Sequence, residues 1–159
     1  MSCIYRVVEE SGLSRLLWEQ EHAGSNPAYP TKNNIMKLAL IAHDGKKSDM
    51  VAFVMKRLKF FNRKDVSIVT TGTTGKKMLQ AGIDKVESVA SGPLGGDAEI
   101  GAMVTRGEID GVFFFRDPLD KHPHEPDVQM LMRLCDVHEV PLATNYKSGH
   151  IMVKYFSKK

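Results

Sequence analysis

The feature that most constrains the fold is a regular alternation of short apolar runs with amphipathic stretches. Residues 37–42 (KLALIA) form an almost continuous apolar run, which is typical of a strand buried on both faces of a parallel sheet. Apolar residues then recur at helical spacing, at Met50, Val51, Val54, Met55, Leu58 and Phe61. Further strands are predicted at 66–69, 86–90, 111–115 and 141–144. This order predicts an α/β fold: a Rossmann-like three-layer domain with a mostly parallel five-stranded sheet and helices on both faces.

Three further segments complete the prediction for the second half of the chain. A helix is expected from about Lys76 to Ala81, closed by Gly82. Another is expected where Val128, Leu131, Met132 and Cys135 follow helical spacing, with Cys135 as a small core residue. The apolar residues 151–153 (IMV) are interpreted as an edge strand.

The first 35 residues differ in composition from the rest. Residues 1–18 fit a short amphipathic helix, whereas residues 19–34 are rich in the Gly, Pro, Ser and Asn that are typical of linkers. The first predicted strand begins immediately afterwards. We therefore expect residues 1–35 to be an N-terminal extension, either loosely attached or upstream of a physiological start at Met36. Residues 36–159 are expected to form the folded domain.

Composition excludes several classes of protein. The chain has 22 basic and 19 acidic residues, and the net charge of +3 is scattered, which argues against nucleic-acid binding and suits a small anionic ligand. The two cysteines, Cys3 and Cys135, have neither disulfide-framework nor zinc spacing. No apolar run approaches the roughly 18 residues that span a bilayer, and no signal peptide is evident. We expect a cytoplasmic protein without a membrane partner.

Polar residues follow the first four predicted strands at the point where each strand ends. In parallel sheets these carboxyl ends share one edge, where ligands bind. The residues concerned are His43, Asp44 and Lys47; Thr71, Thr73 and Thr74; Ser91, Gly92 and Asp97; and Asp117, His122, His124 and Asp127.

Two loops at this edge are suited to an anion. Residues 71–75 (TGTTG) offer hydroxyls and amides where a helix begins, which favours phosphate, although they match neither a Walker loop nor GxGxxG. Residues 91–97 (SGPLGGD) form a glycine-rich loop that ends in a carboxylate. Lys47 supplies a point charge. Taken singly, helix capping explains the threonines and Asp97 equally well, and a solvated position explains Lys47.

A possible acid–base set lies at the same edge. A carboxylate can abstract a proton beside a carbonyl when donors stabilise the enediolate, and a histidine beside an aspartate can move protons between oxygens. The candidates are Asp97, Asp127, His43 and His124. For Asp127 the alternative is a first-turn acid favoured by the helix dipole. Neither HExxH nor zinc-finger spacing is present, so we expect neither metal nor cofactor.

Five ordered motifs between Met36 and about Asn145 resemble the methylglyoxal synthase family. They are AHDGKK (42–47), TTGTTG (70–75), SGPLGGD (91–97), FFRDPL (114–119) and HPHEPDV (122–128). The resemblance implies a metal-free lyase that converts dihydroxyacetone phosphate to methylglyoxal and inorganic phosphate through an enediolate, as a glycolytic bypass. It also implies a homohexamer that phosphate inhibits.

Carried over by position, the resemblance makes Asp97 the catalytic base and His124 and Asp127 a proton-handling pair. It places His43 near the substrate carbonyl and phosphate. The phosphate-binding positions are Lys47, Thr71, Gly72, Thr73, Thr74, Ser91 and Gly92, with His124 as a further substrate contact. Asp44 and Asp117 are interpreted as supporting the loops.

Two departures and two alternatives accompany the resemblance. The chain adds residues 1–35 and stops soon after residue 153, whereas many members continue further, which bears on the oligomer and its regulation. A non-catalytic effector-binding domain of the same fold would need the threonines but neither SGPLGGD nor the pair His124 and Asp127. A phosphate-ester hydrolase is disfavoured because no activated nucleophile or metal set is visible.

Overall fold

The computed structural model describes residues 35–119 and 125–158. In this part of the chain five strands form one sheet in the order β3-β2-β1-β4-β5, and all four pairings are parallel. The strands are β1 (Met36–Ala42), β2 (Val66–Thr71), β3 (Glu87–Val89), β4 (Gly111–Phe115) and β5 (Leu142–Ala143). The predicted α/β fold with a five-stranded sheet is therefore confirmed, and the sheet is wholly parallel.

The central strand β1 explains why residues 37–42 are apolar. Leu38 pairs with Ile68 of β2 on one side and with Gly111 of β4 on the other. Successive side chains of β1 enter opposite layers: Leu38 and Leu40 join one core cluster, whereas Ala39 and Ile41 join the other. A strand buried on both faces needs apolar residues at every position.

Six helices cover the two faces of the sheet in the described part of the chain. They are α1 (Lys47–Met55), α2 (Leu58–Phe61), α3 (Gly72–Gln80), α4 (Gly96–Thr105), α5 (Glu125–Val137) and α6 (Tyr146–Phe156). Apolar side chains of α1, α2, α3 and α6 share one core cluster, and those of α4 and α5 share the other, which includes the buried Cys135. The three predicted layers are confirmed.

The prediction of an edge strand at residues 151–153 is wrong, because these residues lie in α6. The buried residues of α6 are Gly149, Met152, Val153 and Phe156, which follow helical spacing. Asn145 caps this helix, since its side chain accepts the N–H groups of Lys147 and Ser148. The capping box and the helical period together outweigh three consecutive apolar residues.

Two helix boundaries also differ from the prediction. The helix expected to run continuously to Phe61 breaks at Lys56 and Arg57 into α1 and α2. Helix α3 begins at Gly72, four residues before the predicted start at Lys76. Glycine and threonine have low helix propensity, but packing of this turn against the rest of the domain overrides that preference.

None of the described helices is long and apolar enough to cross a membrane. Residues 1–34 lie outside the described part of the chain, so the division into an extension (1–35) and a domain (36–159) stays a prediction.

Candidate active site

A cavity of about 150 Å³ lies at the carboxyl ends of β1 and β2, beside the start of α4. Strand β1 is where the sheet order reverses direction, because β2 and β3 lie on one side of it and β4 and β5 on the other. Ligands bind at such switch points in parallel sheets. Six of the predicted site residues line this cavity: His43, Lys47, Thr71, Thr73, Gly92 and Asp97.

The glycine-rich loop holds Asp97 in place through close backbone contacts. Residues 92–94 form one 3₁₀ turn, and the carbonyl of Ser91 accepts the N–H groups of both Leu94 and Gly96. Gly95 has φ of 92°, a left-handed conformation that favours glycine. Gly96 lies so close to Ala90 that any side chain there would collide with its carbonyl. Helix α4 therefore starts at a fixed point, one residue before Asp97.

Asp97 is a buried carboxylate in the first turn of α4, and its exposed fraction is 1%. The N-terminus of a helix favours negative charge there. Because the carboxylate also lines the cavity, it can reach a small ligand while it is shielded from bulk water. This is the environment in which a carboxylate serves as a general base.

Lys47 is buried as well, with 7% of its surface exposed, so the alternative of a solvated lysine is excluded. Its ammonium forms an ion pair with Asp44, whose side chain is 91% exposed. Water screens an exposed carboxylate, which therefore offsets the ammonium only in part. A positive charge thus lies at the wall of the cavity beside Thr71 and Thr73.

In the loop of residues 71–75, some residues line the cavity and others serve only in packing. Thr71 lines the cavity and donates its hydroxyl to Thr74, which is fully buried and does not line it. The N–H of Gly72 donates to the carbonyl of Ala90 at 3.0 Å, so this amide ties α3 to the loop after β3. A Cβ added to Gly72 would lie 3.1 Å from the carbonyl oxygen of Val89, the last residue of β3. Gly72 therefore has a packing role, and its predicted contact with phosphate stays a prediction.

His43 follows β1 and is fixed by β4 and the residues after it. The ring nitrogen Nδ1 accepts the backbone N–H of Asp117 at 3.0 Å. The backbone N–H of His43 donates to the carbonyl of Phe115 at 3.1 Å. The ring packs edge-on against Phe114, with centroids 5.1 Å apart. Asp117 was interpreted as a loop support, and its backbone contact with His43 has no signal in the sequence.

The remaining predicted site residues lie elsewhere. Ser91 caps the 3₁₀ turn and does not line the cavity. Asp127 lies half-buried in the first turn of α5 and does not line it either. His124 and His122 lie outside the described residues. Among those that are described, no group of three His, Cys, Asp or Glu side chains is arranged to hold a metal ion.

Arg116 was not among the predicted site residues, but it supports an element of the site. Its guanidinium donates to Glu125 at 3.1 Å, and Gln129 donates to the same carboxylate oxygen at 2.8 Å. Arg116 directly follows β4 and Glu125 begins α5, so this ion pair ties the start of the helix that carries Asp127 to the end of a core strand. The sequence signals for this ion pair were an arginine directly after a strand and a glutamate in the first turn of a helix.

Comparison with known proteins places this site in a family. The model of the MGS-like domain family matches residues 52–144. The methylglyoxal synthase of Borreliella burgdorferi (strain ZS7) is 52% identical over 118 residues, which cover 74% of this chain and 92% of that protein. The methylglyoxal synthase of Carboxydothermus hydrogenoformans is 52% identical over 120 residues, covering 76% and 98%. The fold and the site thus define an MGS-like domain.

A solved structure agrees with the sequence relatives. The crystal structure of methylglyoxal synthase from Elizabethkingia anophelis NUHP1 has a TM-score of 0.70 and 38% identity, and the match covers 76% of this chain and 78% of that one. The chain belongs to the methylglyoxal synthase family. The prediction of an enzyme of this family is confirmed, and the relatives support it over an effector-binding regulatory domain.

Proposed function

We propose that the protein converts dihydroxyacetone phosphate to methylglyoxal and inorganic phosphate. The observation that carries the proposal is one small cavity lined by a buried carboxylate, Asp97, and a buried ammonium, Lys47. A phosphorylated ketone needs both groups, one for the proton beside the carbonyl and one for the phosphate.

The phosphate end is assigned to the wall formed by Lys47, Thr71 and Thr73. The ammonium supplies a charge-assisted hydrogen bond, and the hydroxyls lie where α3 begins. The N-terminus of a nine-residue helix adds favourable electrostatics for an anion. Gly92 leaves this wall free of a side chain. Ser91 and Thr74 serve by holding the two loops.

The chemistry begins when Asp97 removes a proton from the hydroxymethyl carbon, C3. The electron pair of the C–H bond forms the enediolate, whose oxygen receives a hydrogen bond from His43. The C2 oxygen then gains a proton and the C3 hydroxyl loses one. The C3–oxygen bond becomes a carbonyl, the double bond moves from C2–C3 to C1–C2, and the bond from C1 to the phosphate oxygen breaks with its electrons leaving on phosphate. The released enol becomes methylglyoxal by proton transfer. His124 and Asp127 are proposed to handle protons at the substrate oxygens, on the strength of the family motif.

We also infer a cytoplasmic homohexamer that uses neither cofactor nor metal and that inorganic phosphate inhibits. The family resemblance supports these points, and the absence of a basic surface pattern in the sequence fits a protein without nucleic-acid partners. Light scattering after size-exclusion chromatography measures the number of subunits directly. A monomer or dimer at working concentration contradicts the hexamer.

The test is incubation of the purified protein with dihydroxyacetone phosphate, with and without a chelator. We expect equal amounts of methylglyoxal and inorganic phosphate, at the same rate in both samples. Release of phosphate with dihydroxyacetone instead of methylglyoxal indicates a hydrolase. Binding of phosphate without any turnover indicates the effector-binding alternative. Loss of turnover in chelator, restored by one divalent ion, contradicts the metal-free mechanism.

A further inference from the structure

The imidazole of His43 is held in one orientation by residues 114–117. Nδ1 accepts the N–H of Asp117 at 3.0 Å, and the backbone N–H of His43 donates to Phe115 at 3.1 Å. The ring packs edge-on against Phe114, and only 4% of His43 is exposed. A 180° flip of the ring would put Cδ2 in the place of Nδ1 and lose the first contact, so Nδ1 is the nitrogen that faces Asp117.

This contact determines which nitrogen carries the proton. A ring nitrogen that accepts a hydrogen bond from an amide has no proton of its own, and a neutral imidazole then carries its proton on the other nitrogen. We propose that the backbone N–H of Asp117 keeps His43 as the neutral tautomer protonated on Nε2. In the reaction proposed above, on which this role rests, His43 is then a hydrogen-bond donor to the substrate oxygen and not a general base.

The amide that sets the tautomer is itself fixed. Asp117 makes a local turn in which its Oδ1 accepts the N–H of Leu119 at 3.2 Å. On the other side, the N–H of Arg116 donates to Thr144 at 3.3 Å, which anchors the preceding residue to the chain after β5. The N–H of Asp117 therefore keeps its direction when a ligand enters.

Charged groups from three elements surround the same cavity. They are Asp44 in the turn after β1, Lys47 in α1 and Asp97 in α4, whereas Asp117 contacts the ring through its backbone N–H and does not line the cavity. The carboxylates favour a cationic ring and the ammonium disfavours one. Asp44 pairs with Lys47 and is mostly exposed to water, so its effect is screened. If Nδ1 were protonated, its N–H would point at the backbone N–H of Asp117, and two donors would face each other. Because this arrangement is repulsive, we expect the ring to be neutral.

A neutral donor suits an enediolate intermediate. The Nε2–H group is in place before the negative charge develops on the substrate oxygen, so no reorganisation is needed at that step. It also leaves proton abstraction to Asp97. We therefore assign the two groups separate roles, the carboxylate as base and the imidazole as donor.

Nitrogen-15 NMR of the full-length protein tests the tautomer without any turnover. Long-range proton–nitrogen spectra of the histidine rings distinguish the two nitrogens, and loss of one set of signals in His43→Gln assigns that set to His43. We expect an unprotonated Nδ1 and a protonated Nε2 that stay unchanged between roughly pH 5.5 and 8, a range in which an ordinary histidine titrates. A protonated Nδ1, or a ring that becomes cationic in this range, overturns the proposal.

Asp117→Asn is the matched control for the source of the effect. Asparagine keeps the backbone N–H and an oxygen for the turn with Leu119, but it removes the carboxylate. The His43 signals should therefore stay unchanged. A different tautomer in this variant would show that the carboxylate of Asp117, and not its amide, sets the proton position.

Kinetics test the donor role separately. The amide of glutamine in His43→Gln can reach the position of Nε2, whereas the shorter amide of His43→Asn cannot. Loss of one such donor lowers kcat by about 10²–10³-fold, so His43→Asn should show this loss and His43→Gln a smaller one. Equal losses in both variants contradict the donor role. Failure of the wild-type protein to form methylglyoxal would refute the proposed function and leave the NMR result standing.

Discussion

Gly96 lies directly against Ala90: a Cβ added to Gly96 would lie 2.0 Å from the carbonyl oxygen of Ala90 and 2.7 Å from its carbonyl carbon. The obstacle is backbone, so no side-chain rotation can relieve it. Asp97 is the next residue, and its carboxylate lines the cavity. The position of the proposed base therefore depends on the absence of one methyl group.

Gly96→Ala is accordingly expected to displace the start of α4. Overpacking of this kind costs about 1–3 kcal/mol of unfolding free energy, and turnover should fall because the carboxylate moves with the helix. Urea denaturation and kcat measure the two effects. Gly101→Ala on the same helix is the matched control, because its Cβ would meet flexible side chains and not backbone: Leu134 at 3.0 Å and Met130 at 3.6 Å. An equal loss of activity in both variants contradicts the explanation.

Lys47→Ala should weaken dihydroxyacetone phosphate and inorganic phosphate together. A lost charge-assisted hydrogen bond costs about 1.5–3 kcal/mol, which titration calorimetry with phosphate measures without turnover. Lys46→Ala removes a neighbouring ammonium that is 35% exposed and lies 4.0 Å from Asp49, and it should have little effect. Unchanged phosphate affinity in Lys47→Ala would show that this lysine has a purely structural role.

Asp97→Asn should abolish turnover while the fold and phosphate binding remain. Asparagine is similar in size but cannot accept a carbon-bound proton, and general-base catalysis contributes about 10²–10⁴-fold. Exchange of the C3 proton of the substrate with solvent follows this step directly. Asp127→Asn is the comparison, because Asp127 does not line the cavity and should retain exchange. The opposite pattern would make Asp127 the base.

A variant that begins at Met36 should fold and turn over at a rate similar to that of the full chain. Every described residue that lines the cavity lies after Met36, and Met36 itself opens β1. Circular dichroism and kcat under identical conditions measure both properties. A folded but inactive variant would show that residues 1–35 contribute to the site or to the assembly.

Cys135 should be unreactive in the native protein. Burial, and secondarily the charge of Asp136, raises the pKa of its thiol from 9.0 to about 11. In a Cys3→Ser variant, thiol reagents at pH 8 should react only after denaturation. Because the folded-state pKa is the higher one, the stabilising contribution is complete below pH 9.0 and is lost as the pH rises towards 11. Rapid reaction of Cys135 with a thiol reagent in the native protein would contradict its burial.

Local patterning explains why the layers could be predicted. A strand buried on both faces needs apolar residues at each position, and residues 37–42 show this without any tertiary information. The polar loops could be placed at one edge because parallel strands all end there. Residues 151–153 were misread because three apolar residues fit a strand as well as a helix, and the deciding cap at Asn145 lies six residues away.

The sequence by itself determined the alternation of strands and helices and the edge that carries the candidate site, and it supplied the residues proposed as base and cation. Only the tertiary structure decided how these groups are held. The amide of Asp117 reaches His43 across 74 positions of the chain, and the burial of Lys47 beside Thr71 follows from neighbouring strands. Such contacts depend on the direction of individual backbone groups and on close approach between segments that are distant in sequence. Neither the direction of a backbone group nor a distant contact produces a local pattern of residue types, so the sequence alone does not reveal them.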